Sequence, residues 1–306
     1  MLLSAGAFAN YRSETHVFNS LAPHCGDLRL RANRRRLLDI WVASDMHTRS
    51  RLDGTDVLNL VDQFENAGGF LSSVMQRIVE SQRAKGVRRW AETTPAHVLH
   101  MPEIQQTIPA ALFVHVIRDG RDVAVSLERQ QWVVPYPWDR ERPVAAAAAF
   151  WSWMVQHGRA LGHSLKDGTY LEVRYEAMVA NPTAMLAELS AFVGQELSHE
   201  HILAHPVGSV KRPNTSFPGQ VQSFSGRWRE TLTPPDAQFL NDALAGMLES
   251  LEYPIDPVVS PRASKRLAPY LGRFAMRHWI KSHTPLARRA DISLFAPRPG
   301  AVPPTD

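Results

Sequence analysis

The stretch that most constrains the fold runs from residue 111 to residue 130 and has the sequence ALFVHVIRDGRDVAVSLERQ. Its first part, Ala111 to Ile117, is short, apolar and rich in β-branched and aromatic residues, which is typical of a buried strand. The charged segment Arg118–Asp122 contains a glycine and favours a tight turn, after which Val123–Gln130 continues as a helix. Open α/β sheets bind ligands beyond the carboxyl end of such a strand.

The turn at the end of this strand has the chemistry of an anion site. Backbone N–H groups at the start of a helix favour an anion, Arg118 offers a guanidinium fork for a phosphate, and Ser126 offers a hydroxyl. The same residues also fit an ordinary turn with a solvated charge cluster. The function of the turn therefore depends on the rest of the chain.

Length and composition limit the class of protein. The 306 residues suffice for one large α/β domain or for one domain with an appendage, and 44% apolar with 21% charged residues is ordinary for a globular protein. The single cysteine, Cys25, excludes an internal disulfide and a multi-cysteine zinc site. It is compatible with a reducing compartment, and we expect a cytoplasmic protein. No apolar run approaches the roughly 18–20 residues that span a bilayer.

Charge is distributed unevenly along the chain. The net charge is +4, but residues 261–306 contain nine Lys or Arg and two Asp, so this tail carries about +7 and the remainder, by subtraction, about −3. The basic character therefore belongs to the tail and does not indicate nucleic-acid binding. Mostly apolar side chains recur along one face of a predicted tail helix, at Leu267, Leu271, Phe274 and His278. This face fits a peripheral contact with an anionic membrane, a helix docked on the domain, or a mobile tail.

Periodicity predicts further elements. Residues 27–46 form a predicted helix, with Arg34–Arg36 on its solvated face. Gly68-Gly69 is expected to break the next helical segment, and Ser72 to cap a helix over 72–84. A strand is predicted over 88–94, a long helix over 145–165 and a second strand over 169–174, while 297–306 should be disordered.

Arg118 and Ser126, eight positions apart in RDGRDVAVS, resemble the 3′-phosphate-binding motif RDxRDxxxS of sulfotransferases that use 3′-phosphoadenosine-5′-phosphosulfate (PAPS). Two other segments are similar to that family. RYEAMVANPTAMLAELSAFVG resembles its RYEDLxxxPxxxLxxLxxFLG segment, and GRWRETLTP resembles its C-terminal segment. The resemblance implies that Arg118, Ser126 and Arg227 hold the 3′-phosphate and that Tyr175 lies at the adenine. It implies no metal, and a loop over 211–225 that closes on the site.

Two segments resemble the catalytic side of the family. Glu14 in SETHVF is similar to the Glu-Thr-Arg segment of the protein-tyrosine branch, where the Glu is the catalytic base; from the residues alone, Glu14 is equally a capping or surface carboxylate. RRWAETTPAH resembles WxEKTPxH, a pattern matched at Glu92, Thr94, Pro95 and His97. Thr93 replaces the family lysine, which can stabilise charge on the leaving oxygen.

Members of the family begin with a strand and a PxRSGTT-type loop that wraps the 5′-phosphosulfate. This sequence contains no RSGTT, GxGxxG or GxxxxGK[ST] segment. We therefore expect the first central strand of the sheet to be missing. The expected reasons are a start assigned too far downstream, a truncation, or a degenerate relative.

The resemblance implies an α/β fold with a P-loop-like, three-layer parallel sheet flanked by helices. A sulfotransferase-like domain is expected over 1–258 and a basic tail over 259–306. The implied reaction moves a sulfuryl group from PAPS to a hydroxyl or amine of a small-molecule, carbohydrate or lipid acceptor. Two alternatives remain: a non-catalytic relative that binds a nucleotide or a partner, and a P-loop kinase that acts on a small molecule.

Overall fold

The computed structural model describes most of the chain. It covers residues 2–139, 142–205 and 225–284, together with Ile292 and Phe295. The predicted closing loop, except for Ser225, and the predicted disordered end at 297–306 lie outside the described residues.

Helices dominate the described residues. The main elements are α1 (Arg31–Val42), α2 (Ala67–Ser81), α3 (Met101–Thr107), β1 (Phe113–Ile117), α4 (Gly120–Arg129), α5 (Val144–Gly162), β2 (Tyr170–Arg174), α6 (Pro182–Val193), α7 (Pro234–Ser250) and α8 (Ala268–His283). Short α-helical segments occur at Ala22–Cys25, Asp45–Ser50, Gly54–Leu58, Tyr175–Ala180, His199–Ala204 and Trp228–Thr231. Short 3₁₀ helices lie at Leu2–Ala5, Asn59–Asp62, Arg83–Lys85, Pro95–His100, Pro137–Asp139 and Ala263–Leu267, and Val17–Leu21 is a π-helix.

The two predicted strands pair in parallel. β1 and β2 are in register from Phe113 opposite Tyr170 to Ile117 opposite Arg174. The strand predicted over 88–94 is reduced to one parallel bridge between Phe8 and Arg89. In the part of the chain that the structure describes, β1 pairs with β2 alone.

Helices cover both faces of this sheet. Val114, Leu171 and Val173 share one face and pack in one apolar cluster with Leu186 and Leu189 of α6. The opposite face meets α5 closely. A Cβ on Gly158 would lie 2.8 Å from the His115 ring, and one on Gly162 would lie 2.3 Å from the Tyr170 ring. Helix, sheet and helix thus form three layers, which confirms the α/β fold with a parallel sheet flanked by helices.

The N-terminal helical region departs from its predicted details. Arg34, predicted on a solvated face, is buried because its guanidinium donates to the carbonyls of Leu28 and Val61. Helix α2 begins before Ser72, since Asn66 caps it by accepting the Gly69 N–H at 2.8 Å. Gly68 lies inside the first turn instead of breaking the helix. A glycine is needed at this position because α3 packs closely against it, and a Cβ would lie 2.2 Å from the Thr107 hydroxyl.

The tail helix α8 docks on the domain through the face identified in the sequence. Leu267, Tyr270 and Phe274 are buried in the cluster that also contains Trp153 of α5. The Phe274 ring lies 6.1 Å from that of Trp153. Among the described residues, no helix has the length and apolar character needed to cross a membrane.

Gly120, the first residue of α4, generates a stability prediction. A Cβ at this position would lie 2.5 Å from the Trp151 ring, so Gly120→Ala must displace a buried indole. We expect a loss of about 1–3 kcal/mol in the free energy of unfolding, measured by urea denaturation. Gly246→Ala in α7 is the matched control: its Cβ would meet nothing within 4 Å, and we expect no loss. Equal stability of Gly120→Ala and wild type would contradict the close packing.

Candidate active site

The two arginines of the turn after β1, Arg118 and Arg121, have different roles. Asp119 caps α4 by accepting the Arg121 N–H at 2.9 Å. The Arg121 guanidinium is completely buried, donates to both Asp119 oxygens at 3.0 and 2.8 Å, and lies 4.4 Å from the Trp228 ring centroid. The Arg118 side chain, in contrast, keeps 26% of its surface exposed. Arg121 therefore stabilises the turn, and Arg118 is the arginine that a ligand can reach.

The backbone of this turn is fixed from both sides. The Trp151 indole donates to the Arg118 carbonyl at 3.1 Å, and the Asp119 N–H donates to Glu176 at 2.9 Å. The second oxygen of Glu176 accepts the Tyr253 hydroxyl at 2.8 Å. Burial, together with the charge of Glu176, raises the pKa of Tyr253, so the hydroxyl keeps its proton and remains a donor. Arg118 thus extends from a rigid turn.

Asp122 connects the turn to a segment about a hundred residues later. One carboxylate oxygen accepts the Gly226 N–H at 2.8 Å and lies 3.4 Å from the Arg118 guanidinium, and the other accepts the Trp228 N–H at 3.0 Å. The Asp122 side chain is 1% exposed. Because hydrogen bonds to a buried carboxylate are strong, this contact fixes the 226–228 turn beside Arg118.

The structure brings the four predicted cofactor residues to the same end of the sheet. The Arg118 guanidinium lies 5.1 Å from the centroid of the Tyr175 ring, at the carboxyl end of β2. Arg227 is exposed and lies between the two residues whose N–H groups bind Asp122. Ser126 is half-buried one turn of α4 beyond Asp122. The structure thus shows one guanidinium beside a phenol ring at a helix start, with the backbone of the segment that contains Arg227 held next to it.

The structure places Glu14 in a different polar cluster, which is organised by the buried carboxylate of Glu92. Glu92 accepts the Thr15 hydroxyl at 2.9 Å, the Thr15 N–H at 3.1 Å and the Thr94 N–H at 3.1 Å. It also contacts the Thr94 hydroxyl and, at 3.0 Å, Nδ1 of His97. The Phe18 N–H donates to Nε2 of His97 at 3.4 Å, so the ring proton lies on Nδ1 and points at Glu92.

The environment of Glu92 keeps it ionised. Burial alone would raise its pKa, but the hydrogen bonds from His97, Thr94 and Thr15 outweigh burial and lower the pKa to about 2. Glu92 is therefore a permanent anion at neutral pH.

The Glu92 cluster fixes the backbone around Glu14. Nε2 of His16 lies 3.1 Å from the Glu14 carboxylate, which is 39% exposed. His16 adopts a left-handed conformation with φ 50°, which is costly for a residue with a side chain. Its N–H is held at 3.3 Å by the Thr94 hydroxyl. The Glu92 cluster thus presents a partly exposed carboxylate on a strained turn.

The sequence interpretation did not identify Asp122 and Glu176 as site residues, although both are visible in its motifs. Asp122 lies four positions after Arg118 at a helix start, a spacing that predicts an ion pair. Glu176 follows Tyr175 directly. Their partners, Gly226 and Asp119, are distant in sequence, and no local pattern indicates those contacts. Glu92 and His97 match the family pattern, but the pattern alone assigns them no role.

Comparisons with known proteins show the family and the fold of the chain. The model of the family described as "Sulfotransferase family" matches residues 6–199. The chain is similar to the solved sulfotransferase domain of the Synechococcus PCC 7002 olefin synthase, with a TM-score of 0.54 and 17% identity over 83% of this chain and 89% of that one. A sulfotransferase domain from the curacin biosynthetic pathway matches with a TM-score of 0.42 and 15% identity over 89% and 92% of the two chains. No curated protein matches the sequence.

The family match spans well over half of the chain, and the first of the two structural matches supports the same fold. The chain belongs to the sulfotransferase family.

Proposed function

We propose that this protein transfers a sulfuryl group from PAPS to a hydroxyl or amine acceptor. The observation that carries the proposal is the Asp122 carboxylate, which holds the 226–228 turn beside Arg118. The contact supports the proposal because it holds the backbone on both sides of Arg227 next to the turn that carries Arg118. A site with two guanidinium groups suits a doubly charged phosphate better than a neutral ligand.

The residues present fit the 3′-phosphoadenosine part of PAPS. Arg118, Ser126 and Arg227 would hold the 3′-phosphate, and Tyr175 would contact the adenine. When bound, PAPS supplies the sulfuryl group and leaves as 3′-phosphoadenosine-5′-phosphate (PAP). The remaining task of the protein is to position the acceptor and remove its proton, as in other group transfers that depend on orientation and charge.

Glu14 is the proposed base. Its carboxylate is partly exposed and can take the proton of an acceptor hydroxyl or amine. The His16 ring beside it can donate a hydrogen bond and limit its rotation. The Glu92 cluster holds the backbone between Glu14 and His16 through the Thr15 N–H and after this pair through the Phe18 N–H. We therefore assign Glu92 and His97 as positioning residues for Glu14.

The proposal also covers the class of acceptor and the cellular location of the protein. A small molecule, carbohydrate or lipid is the expected acceptor, and a nucleic acid is not. We propose a cytoplasmic location, with which the buried thiol of Cys25 is compatible. We propose no metal in the reaction, because proton removal and charge neutralisation are assigned to Glu14 and the two arginines.

A non-catalytic member of the family is the second candidate. It is favoured by Thr93, an exposed residue where the family pattern has a lysine. Threonine offers a hydrogen bond but no positive charge for the leaving oxygen. Such a protein would bind PAP and transfer nothing.

Arg118→Ala tests the phosphate assignment. We expect it to weaken PAP binding at least about tenfold, since a charge-assisted hydrogen bond contributes about 1.5–3 kcal/mol. Binding of AMP, which has a 3′-hydroxyl, should change less than about twofold. Isothermal titration of the full chain measures both affinities.

Arg129→Ala, an exposed arginine in the last turn of α4, is the control for this titration. Equal losses for PAP and AMP would give Arg118 a structural role only. Preference of the wild type for ATP over PAP would contradict the sulfotransferase proposal and favour a kinase.

Glu14→Gln tests the base. The change removes the proton acceptor but keeps the shape, so transfer should fall by about 10²–10⁴ while the affinity for PAP is unchanged. Transfer of radiolabelled sulfate from PAPS to a panel of hydroxyl and amine acceptors provides the measurement. Glu80→Gln, an exposed glutamate on α2, is the control. A wild type that binds PAP but labels no acceptor would be the non-catalytic relative.

Glu92→Gln tests the positioning cluster through stability. The pKa of Glu92 is about 2 in the folded protein, and its ordinary value is 4.5. The ionised Glu92 therefore stabilises the folded state fully above pH 4.5, and this part of the free energy of unfolding is lost as the pH falls towards 2. One pKa unit is about 1.4 kcal/mol, so the wild type should lose on the order of 3 kcal/mol across this window that Glu92→Gln does not lose. Urea unfolding at several pH values measures it. Glu103→Gln, at an exposed ion pair with His100, should behave as wild type; identical pH profiles for all three proteins would refute the role of Glu92.

A further inference from the structure

A groove lies between the outer face of α2 and the side chain of Trp90. Its volume is about 420 Å³, within the range of roughly 300–1,000 Å³ that small-molecule sites occupy. Trp90 and Gln63 line it together with five residues of α2, which are Ser72, Ser73, Gln76, Arg77 and Glu80. We call these seven residues the α2 groove. None of them belongs to the residues assigned to the nucleotide or to the proton transfer.

The groove is built on a helix that the core holds in place. At 100° per residue, positions 72, 73, 76, 77 and 80 fall within an arc of about 140° on one face of α2. The rest of the helix surface is formed by positions 70, 71, 74, 75, 78 and 79, all of which are buried in one apolar cluster. Trp90 is half-buried and packs against the same cluster. Because these walls are fixed in advance, a ligand does not have to order them, which lowers the entropic cost of binding.

The neutral polar side chains of the groove keep their hydrogen-bonding capacity for a ligand. Ser81, at the end of the same helix, donates its hydroxyl to a backbone carbonyl one turn earlier, at 2.8 Å. The hydroxyls of Ser72 and Ser73 make no such bond to any residue that the structure describes, and neither do the side-chain amides of Gln63 and Gln76. Two hydroxyls and two amides therefore remain able both to donate and to accept hydrogen bonds.

The lining of the groove has no net charge. Arg77 and Glu80 are its charged residues, and they pair with each other at 3.4 Å. A phosphate or carboxylate ligand would need a cation that is not already compensated, and a cationic ligand would need a free carboxylate. The α2 groove therefore suits a neutral ligand that is rich in hydrogen-bonding groups.

We propose that the α2 groove binds a neutral saccharide. A sugar ring carries neighbouring hydroxyls, each of which donates and accepts, and it also has a face of C–H groups. Serine hydroxyls and glutamine amides match the hydroxyls because they too can donate and accept. The face of an indole ring is electron-rich and attracts the polarised C–H groups of a sugar, so the Trp90 ring is the expected platform for that face. This binding site goes beyond sulfuryl transfer and does not depend on it.

Saturation-transfer difference NMR of the full chain with cellobiose, maltose and lactose tests the proposal. We expect at least one of the three disaccharides to bind, with the strongest signals from the C–H protons on one ring face, which would lie against Trp90. Trp90→Ala should weaken this binding at least about tenfold by loss of the stacked ring. The double variant Ser73→Ala, Gln76→Ala should weaken it about tenfold by loss of two hydrogen bonds.

Two matched controls lie outside the groove. Trp279→Ala, at a tryptophan of α8 that is 57% exposed, and Gln130→Ala, at an exposed glutamine after α4, should bind the sugar as wild type. Circular dichroism checks that each variant is folded. The Ser73/Gln76 variant changes only the outer face of α2, so it tests the groove even where Trp90→Ala does not fold.

Three outcomes would overturn the proposal. They are no signal from any of the three disaccharides, signals of equal strength from glycerol at the same concentration, and equal binding by the wild type and the Ser73/Gln76 variant. The samples contain neither PAPS nor PAP, so the saccharide site can fail while the proposed function stands. In the same way, loss of sulfuryl transfer would leave the saccharide result unchanged.

Discussion

The arrangement of the candidate cofactor site depends on one buried carboxylate. Asp122 receives two backbone N–H groups from the 226–228 turn and pairs with Arg118. A buried carboxylate without these partners would be strongly unfavourable, so the turn and the helix stabilise each other. The contact joins segments separated by 104 residues along the chain. Because of this contact, the backbone of Arg227 lies at the carboxyl end of β1, although the two are far apart in the sequence.

The charges around Asp122 are divided between structure and binding. Arg121 and Asp119 neutralise each other inside the protein, where Arg121 also contacts the Trp228 ring. The Arg118 carbonyl and the Asp119 N–H are both occupied by partners from other elements. With its backbone fixed in this way, Arg118 can bind an anion without first ordering the turn, which lowers the entropic cost of binding. A motif of five charged or flexible residues thus yields one ligand-facing guanidinium.

The sequence predicted what local patterns encode. Periodicity and turn chemistry were sufficient for β1, β2, α4 and the long helix α5. They were insufficient where a residue's burial depends on a partner that is distant in the sequence. Arg34 and its exposed neighbour Arg35 cannot be told apart in the sequence. Arg34 is buried because the fold brings the Val61 carbonyl to its guanidinium. The Asp122 contact belongs to the same class. The predicted roles of Glu14, Arg118, Ser126, Tyr175 and Arg227 remain predictions, although the structure places the last four at one end of the sheet.

The two polar clusters are stabilised by different anions, and this separation has a mechanistic consequence. Asp122 organises the residues assigned to the nucleotide, whereas Glu92 organises the turn that presents Glu14. Because neither carboxylate is needed to complete the other cluster, substitutions around Glu14 can occur without disturbing the turn that carries Arg118.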